Sequence, residues 1–138
     1  MTPFPILLQL SGLSHQEAAN FLVVRPDTVK SWSSGRRTVP QGAVDKLCGL
    51  IAAQDRAAGE AIAQIAELTE PIAAHGAPES VEIGYPADDY EASHLGFPTV
   101  STWAAMAARV IVSANVKIIL VPRGSTPATA AAADAHRK

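Results

Sequence analysis

Between Arg25 and Arg37 the chain places Arg25, Asp27, Thr28, Lys30 and Ser31 close together, followed by the pair Arg36 and Arg37. These residue types suit the edges and backbone of a nucleic acid. Arg25 or Lys30 can donate to the O6 and N7 of guanine, the Thr28 methyl can touch that of thymine, and Asp27 can accept from cytosine while disfavouring other bases. Asp27 has an equally good reading as an acid favouring a positive helix end. Arg36 and Arg37 lack framing for base readout and suit phosphate neutralisation. The charge distribution agrees: residues 1–48 carry five basic and three acidic groups, a net +2, leaving −4 for the remainder of a chain whose total is −2. A local positive field is therefore hidden by an acidic average.

These residues need a scaffold, and the flanking pattern supplies one. "FPILLQL" before Gly12 reads as a first helix with its prolines near the start. Ser14 followed three residues later by Glu17 is a capping box, Leu13 can staple against Ala18, and Ala18, Phe21 and Leu22 form an apolar face at helical spacing. Pro26 suits the first turn of a third helix, Val29 and Trp32 would face inward, and Thr28, Lys30 and Ser31 are left on other faces. Gly35 is expected to end that helix in a left-handed turn.

Two short helices joined by a tight turn, the second polar outward, have the geometry of a helix-turn-helix. Leu13 to Arg37 resembles, without a gap, the motif of phage-repressor (Cro-like, XRE-type) domains, through Leu13, Ser14, Glu17, Ala19, Leu22, Val24, Thr28, Val29, Trp32, Gly35 and Arg37. Val23 departs from it, standing in the turn where that family usually has glycine. If the position is left-handed, a β-branched side chain there is strained and the turn is expected to open or alter. The resemblance implies that His15 and Gln16 face the DNA backbone and that Arg25, Asp27, Thr28, Lys30 and Ser31 are presented by the recognition helix. Taken alone, His15 is equally an exposed helix residue.

From Pro40 to Ile72 runs an alanine-rich segment of high helix propensity. Its heptad seam reads Val44, Ile51, Ala58, Ile65, Ile72 at one position and Leu47, Gln54, Ala61, Leu68 at the other, serving either an intrachain core or self-association. Residues 73–80 read as a linker. Val81, Ile83 and Tyr85 alternate as a strand, residues 86–98 read as a loop, and Val100, Trp103, Ala104, Ala107, Val110 and Ile111 form a helical stripe expected to be core. "VKIILV", 116–121, reads as a strand covered on both faces. The fold expected is mainly α with a small α/β part: residues 1–72 as a helix-turn-helix bundle with a long helix, 80–122 as a strand-helix-strand dimerisation unit, and 123–138 as a disordered tail. "LVPRGS", 120–125, matches a thrombin-cleavage linker, but no purification tag follows it, so it is read as native. This layout is similar to that of anti-CRISPR-associated and YdiL-like regulators, and the resemblance implies a homodimer that represses its own operon at an inverted repeat.

Other classes find less support. No apolar run reaches a membrane span and the start lacks the features of a secretory signal, so a cytoplasmic, non-membrane protein is expected. Cys48, the single cysteine, permits no intrachain disulfide and reads as a buried small hydrophobe. Asp88, Asp89, Glu91 and His94 crowd one loop, yet no metal-ligand spacing, phosphate loop or nucleophile motif frames them. They read as a solvated acidic loop, with no catalytic residue, metal or cofactor expected. The partners expected are double-stranded DNA and a second copy of the chain. The alternatives are an antitoxin-type regulator gripping a partner toxin and an interaction module without DNA binding.

Overall fold

The computed structural model describes residues 1–73 and 80–123, with side chains described except at 70–73. The expected linker and tail fall almost wholly outside these residues. Mainly helical, the chain also forms one two-stranded parallel sheet.

Three short helices open it: α1 (Pro3–Ser11), α2 (His15–Leu22) and α3 (Pro26–Ser34). Each boundary has a local cause. Proline occupies the first turn of α1 and of α3, where no amide donor is needed. At α2 the capping box forms in full: Ser14 Oγ accepts from the Glu17 amide at 3.1 Å, and Glu17 Oε1 accepts from the Ser14 amide at 2.9 Å. Gly12 and Gly35 close α1 and α3 in left-handed conformations. Phe4, Leu8, Leu13, Ala18, Val29 and Trp32 then meet Leu47 and Leu50 in one buried cluster. Phe4 meets Trp32 edge to face, centroids 5.7 Å apart.

The long helix α4 (Gln41–Ala73) runs past this cluster and into a second. Its carboxyl-terminal half carries Ala58 and Ile65 against Val110, Met106 and the strands. The heptad seam is thus consumed within the chain: Leu47, Gln54, Ala58 and Ile65 are all buried, while Leu68 is exposed and the Ile72 side chain lies outside the described residues. Alanines at 57, 58 and 61 let α6 (Val100–Ser113) approach α4 closely. Cys48 corrects expectation by being exposed, since it follows Leu47 on the solvent side of the helix.

Strands β1 (Ser80–Tyr85) and β2 (Lys117–Pro122) pair in parallel from Ser80↔Lys117 to Tyr85↔Pro122. The connection runs through a short helix, α5 (Asp89–His94), and then α6. A helix within 86–98 was not expected; Asp88 creates it by capping, its Oδ1 accepting from the Glu91 amide at 2.8 Å. Along α6, Trp103, Ala107 and Val110 are buried as expected, but Ala104 and Ile111 are exposed; the buried stripe is completed by Thr102 instead. β2 also differs from expectation. Register puts Ile118 beside Val81 on the face packed against α4 and α6. Ile119 and Val121 alternate to the other face beside exposed Glu82 and Lys117, and neither is fully buried.

The two clusters are joined by polar contacts. Gln54, with no exposed surface, donates from Nε2 to the Ser11 carbonyl at 2.8 Å and the Thr102 carbonyl at 2.9 Å, bridging α1 and α6 from α4. Ser101 at the start of α6 donates to Glu17 at 3.0 Å, so the capping residue of α2 is also held by the second half of the chain. Beside it Gly12 lies so close that a Cβ would sit 2.6 Å from the Ser101 carbonyl oxygen.

Candidate nucleic-acid interface

The turn between α2 and α3 is made without glycine. Val23 adopts φ 57° and ψ 51°, the left-handed region, and is 82% exposed. The expected opening of the turn does not occur: the Val24 amide reaches the Ala19 carbonyl at 3.0 Å, closing the end of α2 as a glycine cap would. The left-handed backbone costs roughly 1–2 kcal/mol for a non-glycine residue. Phe21, Leu22 and Val24 on either side pack against the first core cluster and hold the turn closed.

Arg25 is the N-cap of α3 in extended conformation, its carbonyl accepting from the Thr28 amide at 3.0 Å and its side chain exposed. From there the helix divides by face. Val29 and Trp32 point inward, 0% and 7% exposed. Asp27 and Lys30, three residues apart, are exposed on the outer face, and Thr28 is half-buried at its border. Ser31 is a correction: it is 7% exposed, and its Oγ accepts from Arg36 Nη2 at 3.1 Å, so it is not presented outward. Its role is to hold Arg36 over the carboxyl end of the helix, where a cation is favoured. Ser34 is exposed in its place, one turn beyond Lys30, a position that helical spacing from Lys30 could have suggested.

His15 and Gln16 are exposed at the start of α2, Gln16 donating to Asn20 at 3.3 Å. Arg37 is exposed beyond α3, its amide bound to the Ser31 carbonyl at 3.2 Å. Lys46, from α4, was not anticipated. Its Nζ donates to the Phe21 carbonyl at 2.5 Å and lies 4.8 Å from the Phe21 ring centroid, adding a cation beside the end of α2. No local pattern could reveal it, because 25 residues separate the partners.

Arg25, Lys30, Arg36, Arg37 and Lys46 have no ion-pair partner among the described residues, whereas Arg109 pairs with Asp55 at 2.7 Å. The acidic cluster is explained locally. Asp88 caps α5, Glu91 accepts from the Ala87 amide at 2.6 Å and Asp89 from the Val100 amide at 2.8 Å. No group of side chains suited to a metal ion occurs among the described residues, and no described helix is long and apolar enough to cross a membrane. Comparison with protein-family models and with curated proteins finds no match for this chain.

Proposed function

We propose that the chain is a sequence-specific DNA-binding repressor, acting as a homodimer on an inverted repeat and regulating its own operon. The observation that carries this reading is the outer face of α3, where exposed Arg25, Asp27 and Lys30 stand on a backing of buried Val29 and Trp32. A helix of nine residues is about 13 Å long. Its diameter with side chains, about 10–12 Å, suits a major groove about 12 Å wide. His15, Gln16, Arg36 and Arg37 are the flanking groups suited to phosphate, and among the described residues no carboxylate pairs with Arg36 or Arg37. Two copies related by a two-fold axis would read half-sites about 34 Å apart.

The test is fluorescence anisotropy of the full chain on labelled duplex from upstream of its own gene against a shuffled duplex, across a salt series. Preference for the upstream duplex by at least about a thousandfold is expected. Equal affinity for both, or none for either, would refute the reading.

A second reading, an antitoxin-type regulator that grips a partner protein, draws support from the apolar surface between α1 and α6, where Leu10 is 50% and Val112 85% exposed. Co-purification of a stoichiometric small protein encoded beside the gene would favour it.

A further inference from the structure

A cavity of about 430 Å³ lies between the start of α1, the end of α3 and the segment leading into α4. Its walls are largely apolar, with Phe4, Leu7, Trp32, Val39 and Val44 among them, and Arg37 is its one charged lining residue. Volume and composition fall in the range of small-molecule sites.

Thr2 also lines it, but not through its hydroxyl. Thr2 is the N-cap of α1, where a hydroxyl ordinarily accepts from the second or third helical amide. The third helical residue is Pro5, which has no N–H, and Thr2 makes no capping bond. Its Oγ1 is buried and has no hydrogen-bond partner. With no surface open to the cavity, that oxygen offers a ligand no contact, which leaves Arg37 as the polar anchor. Arg37 has no carboxylate partner among the described residues. An apolar chamber whose one charged lining residue is an arginine suits an apolar body carrying a single anionic group. A divalent cation would find no carboxylate there, and a nucleotide would need more donors.

We propose that this cavity binds a small amphipathic acid, an aromatic or aliphatic body with one carboxylate or sulfonate held by Arg37, and that occupancy withdraws Arg37 from DNA phosphate. The regulatory half rests on the DNA-binding reading above; the binding half does not. Trp32 couples the two, since it lines the cavity and belongs to the same buried cluster as Val29 behind the outer face of α3.

The probe is 8-anilinonaphthalene-1-sulfonate, titrated into the full chain by dye fluorescence, with N-phenyl-1-naphthylamine as the same ring system without the charge. Near-UV circular dichroism of each variant establishes that it is folded. One saturable site is expected. Arg37→Gln should weaken it about tenfold, as for loss of a charge-assisted hydrogen bond. Arg36→Gln should leave it unchanged, and Val39→Phe, which fills the chamber, should abolish it. Val44→Phe repeats that test should Val39→Phe fail to fold. The uncharged dye should bind the parent about as weakly as the sulfonate binds the Arg37→Gln variant. Absence of saturable binding, or binding indifferent to both the Arg37 and the cavity-filling substitutions, overturns the site. With upstream duplex present, saturating sulfonate dye should reduce DNA affinity about tenfold. Dye binding as described with no duplex binding at any salt leaves the site standing and removes the DNA reading; independent binding of both removes the coupling.

Discussion

At the scale of single residues, the outer face of α3 divides its polar groups by what surrounds them. Lys30 is exposed and unpaired, whereas Arg36 is tethered to buried Ser31. Lys30→Ala is therefore expected to cost about 1–3 kcal/mol on the specific duplex and to relax base preference, while Arg36→Ala or Arg37→Ala should weaken all duplexes alike and reduce the salt slope by about one. Anisotropy on specific and shuffled duplexes across a salt series measures both; identical behaviour of all three variants would reject the division. Val23 offers a test independent of DNA. Glycine at its left-handed position relieves about 1–2 kcal/mol of backbone strain, offset by about 0.4–1 kcal/mol of added unfolded-state freedom. Because Val23 is 82% exposed, little packing is lost. Val23→Gly should stabilise the chain by up to about 1 kcal/mol in urea unfolding, and a destabilised variant would show the strain to be absent. Both residues were legible locally: the turn exception came from a residue type in a spaced motif. Ser31 was misread because its burial and its bond to Arg36, five residues away, arise from the fold around α3, which helix periodicity does not encode.

At the scale of elements, capping and proline signals placed α1, α2 and α3 correctly because each is decided within a few residues. Packing between elements was less legible. In sequence, Gln54 is one polar residue in a heptad seam; in the fold it is fully buried and ties α4 to both α1 and α6. Its Oε1 has no partner, so the residue is an incompletely satisfied polar group as well as a bridge. Gln54→Leu removes that unsatisfied oxygen but strips two buried carbonyls of a donor, each worth about 0.5–1.5 kcal/mol. A net loss of about 1–2 kcal/mol is expected in urea unfolding, and an unchanged or raised midpoint would mean that the bridge contributes nothing. Neither partner carbonyl has a side-chain signature, which is why no reading of residue types could find the contact. β2 fared similarly: its run of apolar residues suggested cover on two faces, but no residue of it is fully buried, and Leu120, on the same face as Ile118, is 42% exposed.

At the scale of the whole molecule, α4 takes part in two core regions: the first cluster, on which Trp32 reports, and the second cluster together with an adjoining third of Phe97, Trp103 and Ala107, on which Trp103 reports. A helix shared by two cores, bridged at Gln54 and again at Glu17 with Ser101, should unfold as a unit. Trp32→Phe and Trp103→Phe variants, each leaving one reporter, are expected to differ in midpoint from one another but to show, within each variant, coincident fluorescence and far-UV circular dichroism transitions. Fluorescence and dichroism midpoints that separate in either variant would show two independently unfolding regions. The helical framework, the polar outer face of α3 and the arginines that flank it could be read from the chain, because caps, prolines and apolar spacing act over a few residues. Only the tertiary structure decided which of those polar groups remain outside, where α4 spends its apolar seam, and how the second half of the chain braces α2. Those outcomes depend on groups far apart along the chain meeting in space, and on which of them are thereby removed from water.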